Sequence, residues 1–167
     1  MRIVLLLIGL VLSFDANSES AKRVYPEYDP PKVVYEFYLD DPAKLSAALN
    51  WIRSLINPLL ESPYDMAPEM MDIKVVIHGT EIVALVKKNY ENYRNEVERM
   101  RYYASLGVEF KVCGLAAGEY GYEADDFQSF VEIVPSAFTE LVHWQQQGYA
   151  LIIPRVQIRT HAMEDIR

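Results

Sequence analysis

The sequence predicts an α/β domain with parallel strands and helices on both faces, and three observations point there. Five short runs rich in β-branched and aromatic residues alternate with stretches whose apolar residues recur at helical spacing. Glycine or proline punctuates most of the junctions. The chain has 167 residues and is 51% hydrophobic, enough to bury one core. Strands that alternate with helices pair in parallel, because the crossover returns each strand in the same direction.

Residues 21–31 (AKRVYPEYDPP) carry three prolines and no apolar period, so they read as an irregular arm leading into one domain over 32–167. Val33 to Leu39 (VVYEFYL) reads as the first strand. Asp41 then offers an N-cap and Pro42 a first helical position, and Leu45, Ala48, Leu49, Ile52, Leu55 and Ile56 continue the helical spacing until Pro58. The segment 58–71 reads as a long surface connection. Ile73 to His78 is the second strand, ended by Gly79. A long helix with Tyr90, Tyr93, Val97, Met100, Tyr103 and Ala104 on its core side follows and stops at Gly107. Val108 to Cys113 is the third strand. Residues 114–126 begin as a short helix and become an acidic loop. Val131 to Val134 is the fourth strand. A helix opened by Pro135 and Ser136 runs through Gln147, and Tyr149 to Ile153 is the fifth strand.

Composition narrows the function. Sixteen Lys and Arg against 24 Asp and Glu give a net charge of −8, which argues against a phosphate-binding nucleic-acid protein. Cys113 is the only cysteine, so no internal disulfide and no multi-cysteine zinc site can form. His78, His143 and His161 are the three histidines, with no pair at helical metal-ligand spacing, and no metal site is expected. The glycine cluster at 114–121 lacks the spacing and the lysine of a phosphate loop, and no organic cofactor is expected either. The N-terminus reads as a secretory signal peptide over residues 1–20: Arg2, an apolar run from Ile3 to Leu12, then small and polar residues. Small residues permit a cut after Ser18 or after Ser20. The apolar run is shorter than the roughly 20 residues that span a bilayer, so the mature protein is expected to be periplasmic or secreted, without stable membrane insertion.

In parallel sheets ligands bind beyond the C-terminal strand ends. Two reactive side chains close strands here. His78 closes the second in VVIHG, and Cys113 closes the third in FKVCG, and Gly79 and Gly114 let the backbone turn behind them. Lys111 lies two residues before Cys113, hence on the same face, and is a candidate cation beside the sulfur. His143 and His161 read as surface residues. Glu119, Glu123, Asp125 and Asp126 read as a solvated loop.

The stretch from Asp72 to Pro154 resembles the DsrE/DsrF-like family, carried by VVIHG, GVEFKVCG, GYEADDF, VEIVPSAFTELV and QQQGYALIIP. KVVYEFYLDDPAKLSAALNWIRSLIN looks like the family's first strand and helix. Leu115 departs from the Gln common in relatives. The resemblance implies a three-layer α/β/α domain with a five-stranded parallel sheet whose second and third strands are adjacent. It also implies sulfur held as a persulfide on Cys113, and a homo-oligomer. The expected function is a thiol-dependent sulfur carrier or sulfurtransferase-like protein in which His78 assists and Gly79, Gly114 and Lys111 contribute to binding. Its partner would be a small sulfur species or a sulfur-carrying protein. The alternative is a non-catalytic ligand-binding or assembly module in which Cys113 is a packing residue. Protein recovered from its native host is expected to begin at Glu19 or Ala21; an intact Met1 on membrane-bound material would contradict cleavage.

Overall fold

Alternation along the first strand decides which side chains reach which face of the sheet. In β1 (Lys32–Phe37), Val33, Tyr35 and Phe37 enter the larger core, and Val34 turns to the opposite side. The computed structural model describes residues 20–167, so the leader expected over residues 1–20 lies almost wholly outside the described residues. Residues 20–31 have no regular secondary structure, and all but the half-buried Pro31 are exposed.

Five strands form one all-parallel sheet in the order β4-β3-β2-β1-β5, with β2 (Asp72–Ile77), β3 (Glu109–Cys113), β4 (Val131–Val134) and β5 (Ala150–Ile152). Helices α1 (Leu45–Leu60) and α2 (Arg94–Ser105) cover one face, packing Leu45, Leu49, Ile52 and Met100 onto Val75, Ile77, Phe110 and Val112. Helix α4 (Ala137–Gln146) covers the other, where Ala137 and Leu141 meet Val34, Val76 and Cys113. The short α3 (Gly114–Glu119) continues directly from β3. This is a three-layer α/β/α fold, as the strand and helix alternation predicts.

Three elements differ from the sequence reading. Helix α1 continues through Pro58 to Leu60. A proline in the last turn forfeits only its own bond to the Ser54 carbonyl, and burial of Leu59 holds the turn in place. The long helix expected after β2 is instead two 3₁₀ turns, Thr80–Leu85 and Lys87–Asn92, before α2. Val86 between them is extended and bridges to Phe127, which breaks the helical ladder. Ile82, Ala84 and Leu85 are thereby drawn into the core. Tyr90 accordingly stands outside α2, with its hydroxyl on Glu98 at 2.7 Å, and Tyr93 is the N-cap residue of α2. The connection 58–71 is anchored, because Met66 and Met71 are buried in the main core.

One turn is tight enough to demand its residue. A Cβ on Gly79 would lie 2.4 Å from the Leu39 backbone nitrogen and 2.6 Å from its carbonyl oxygen. Gly79→Ala is therefore expected to lower unfolding stability by about 1–3 kcal/mol through overpacking. Gly118→Ala, in α3 with nothing within 4 Å of the new Cβ, is expected to be neutral or stabilising by up to about 1 kcal/mol. Denaturant unfolding of both variants checks this; equal effects would contradict it.

Candidate functional site

Register brings the two strand-end residues together. Ile77 pairs with Val112, and both belong to the main core, so His78 and Cys113, one residue further on, turn to the α4 face on adjacent strands. Both line a cavity of about 530 Å³ at the C-terminal edge of the sheet. Glu36 and Tyr38 from the end of β1, Leu115, Ala116 and Glu119 from α3, and Ser136, Ala137 and Phe138 at the start of α4 complete its wall.

His78 is held from three sides. Its Nε2 lies 3.0 Å from Glu36 Oε1, Tyr38 stacks on the ring with centroids 4.7 Å apart, and Phe138 meets it edge-on at 5.5 Å. Facing a carboxylate, Nε2 carries the proton and donates, which leaves Nδ1 as the ring's acceptor in the neutral form. Among the described residues Nδ1 has no hydrogen-bond partner, although only 9% of the side chain is exposed. Cys113 is 6% exposed and occupies the N-cap position of α3. Its sulfur makes no hydrogen bond to any described residue, and it packs with Val34, Val76 and Ala137.

Beneath the cavity, Glu81 ties two turns together. This fully buried carboxylate accepts from Gly79 N–H and from Leu39 N–H, each at 3.0 Å, joining the turn after β2 to the turn after β1. Burial pushes its carboxyl up to about 7, against the backbone N–H groups that favour the anion. Gly114 is likewise confined, because a Cβ there would stand 2.9 Å from the Val134 carbonyl oxygen. Lys111 shares the face of Cys113 but does not line the cavity. Its ammonium is taken by Glu132 and by Glu109 at 3.0 Å, and it lies over the Trp144 ring. Lys74 is held in the same way by Asp72, at 2.7 Å, and Glu109. Among the described residues, no group of three or more His, Cys, Asp and Glu is placed to hold a metal ion.

Sequence reasoning singled out His78, Cys113, Gly79 and Gly114 at this edge and missed Glu36, Tyr38 and Phe138. The signal for Glu36 was available: it is the one carboxylate within a largely apolar strand, one position before the strand's end on the face that carries Val34. Glu119 was read as part of a solvated loop; it is exposed, but it sits at the end of α3 and forms part of the cavity rim. His143 and His161 are exposed and do not line the cavity.

A three-layer α/β/α protein with a thiol and a carboxylate-bound imidazole in one strand-end cavity is the class that fold and site define. The DsrE/DsrF-like family model matches residues 36–154, and the chain belongs to that family. A solved structure of a protein of unknown function from Methanobacterium thermoautotrophicum is similar in fold, with a TM-score of 0.57 and 23% identity, covering 74% of this chain and 99% of that one. Among curated proteins none matches the sequence significantly.

The ion pairs below the site carry a pH signature. Burial raises the Glu109 carboxyl, but the bonds from Lys74 and Lys111 outweigh it and hold Glu109 below the usual glutamate range; Asp72 behaves likewise under Lys74 and Tyr149. A depressed carboxyl contributes stability above its unfolded pKa and loses it as pH falls through the folded value. Glu109→Gln is expected to cost on the order of 1 kcal/mol near neutrality, after allowing for solvent screening, and to flatten the loss of stability below about pH 4.5. Unfolding curves of both proteins between pH 3 and 7 check it; parallel curves would contradict it.

Proposed function

We propose that this protein is a thiol-dependent sulfur carrier that holds sulfane sulfur on Cys113. The observation that carries this reading is the shared cavity: the one cysteine and a carboxylate-oriented histidine line the same strand-end opening. Membership of the DsrE/DsrF-like family, which is associated with sulfur relay, supports it. In the proposed step the Cys113 sulfur attacks the outer sulfur of a hydropersulfide R–S–SH. The donor's S–S bond breaks, an S–S bond to Cys113 forms, and R–S⁻ leaves with the electron pair of the broken bond. The proton released by Cys113 ends on that leaving sulfur, giving R–SH, so no external oxidant or reductant is required. His78 Nδ1 is the group available to hold this proton in transit, with Glu36 fixing the ring.

The compartment and the assembly belong to the same proposal. The leader read from residues 1–20 would make the protein periplasmic or secreted. Self-association would give a homo-oligomer, as the family resemblance implies. The donor would be a small sulfur species or a sulfur-carrying protein. A second reading, a binding module with Cys113 as a core residue, draws on one specific observation: the thiol is nearly buried among Val34, Val76 and Ala137.

Intact mass separates the two. Folded protein treated with a hydropersulfide should gain one sulfur mass, lose it to reductant, and show no gain as Cys113→Ser. His78→Ala, with unchanged unfolding temperature, should slow the gain about a hundredfold, the lower end of the range for a positioned proton acceptor. If the native protein takes up no sulfur and the denatured protein does, Cys113 is a packing residue.

A further inference from the structure

The charge of the cavity wall bears on which donor can enter, and this step rests on the carrier reading above. The wall contains the carboxylates of Glu36 and Glu119 and, among the described residues, no Lys or Arg. An adjoining cavity of about 300 Å³ shares Tyr38, His78, Ala116 and Glu119 with it and adds Asp40. The nearby ammonium groups are already committed: Lys44 to Asp40 at 2.7 Å, and Lys74 and Lys111 to Asp72, Glu109 and Glu132. With His78 neutral the main wall carries two negative charges, and with His78 protonated it carries one. In neither state is it positive.

Two polar groups in this wall are without protein partners among the described residues: the nearly buried Cys113 thiol and His78 Nδ1, an atom that is not itself buried. Around them the rings of Tyr38 and Phe138 and the side chain of Leu115 stand exposed at the opening. Such a site offers an apolar, aromatic approach with negative charge at its rim, the combination that favours an ammonium group and repels an oxyanion.

We propose that the sulfur donor is an aminothiol persulfide, a small molecule whose sulfane sulfur sits on a thiol a few bonds from an ammonium group, and that oxyanion donors of the thiosulfate type are excluded. The sulfur enters toward Cys113 while the ammonium group stays at the rim near Glu119 and the Tyr38 and Phe138 rings. The transfer is the one written above, R–S–SH plus Cys113–SH giving R–SH plus Cys113–S–SH, with R bearing the ammonium group. The volume of about 530 Å³ admits a molecule of that size with room to spare.

The test uses the full-length protein and three hydropersulfides of matched length ending in an ammonium, a hydroxyl or a carboxylate group, those of cysteamine, 2-mercaptoethanol and 3-mercaptopropionate. The rate of sulfur gain on Cys113 is read by intact mass and normalised to the rate with the denatured protein, which removes the donors' intrinsic reactivity. The expected order is ammonium, hydroxyl, carboxylate, with at least about a tenfold span between the ends, as for one or two charges acting across a few ångströms in a partly desolvated site. The span should shrink in Glu119→Gln and in high salt. Equal normalised rates for all three, or the carboxylate donor fastest, would overturn the donor assignment and leave the carrier reading standing. Absence of reaction with every donor in the folded protein, with reaction after denaturation, would overturn both.

Discussion

A parallel sheet has a single C-terminal edge, and every strand that ends there delivers its last side chains to the same place. In this protein the constraint is sharpened by register: β1, β2 and β3 are consecutive neighbours, and their pairing places the ends of all three within one cavity. Glu36, His78 and Cys113 have no sequence proximity and meet only because of it. The turn behind His78 is fixed by two further demands, the missing side chain at Gly79 and the buried Glu81 carboxylate that bonds the backbone of both Gly79 and Leu39. The position of the imidazole thus depends on backbone contacts two strands wide, and its orientation on one carboxylate.

The two faces of the sheet are built differently, and that difference concerns the site. The face under α1 and α2 is continuous apolar core. On the α4 face only a small apolar cluster lies near the strand ends, and the opposite half of that face carries the alternating charges Asp72, Lys74, Glu109, Lys111 and Glu132 across three strands, with Trp144 and Tyr149 laid over them. Buried lysines are tolerated because each meets two carboxylates and an aromatic face. The consequence for the cavity is that Lys111, the cation nearest in sequence to Cys113, is spent on structural pairing, and among the described residues the wall around the thiol has no lysine or arginine to set against its carboxylates.

Much of this was legible in the sequence. The five strands, their parallel pairing and the placement of His78 and Cys113 at one edge follow from β-branched runs, helical spacing and the glycines that follow His78 and Cys113, all local signals. Glu36 is visible as a carboxylate in a largely apolar strand, but its role has no local signal, because its partner His78 stands 42 residues later on the neighbouring strand. Lys111 was placed on the correct face, but its partner Glu132 lies on a strand 21 residues later, and no local pattern reveals a cross-strand pair. The segment 80–92 misled because its apolar residues fit helical spacing, while the actual conformation is decided by burial of Ile82, Ala84 and Leu85 and by the bridge of Val86 to Phe127. Those are tertiary contacts, and local propensity yields to them.

The central claim is that Cys113, although 6% exposed, is reached through the cavity in the folded state. The most direct measurement is the alkylation rate of Cys113 by a small neutral reagent across denaturant concentrations below the unfolding transition. Access through the native cavity makes that rate independent of denaturant, because no opening of the fold precedes reaction. A rate that climbs with denaturant in proportion to the unfolded fraction would mean the thiol reacts only when the fold opens, and would contradict the account.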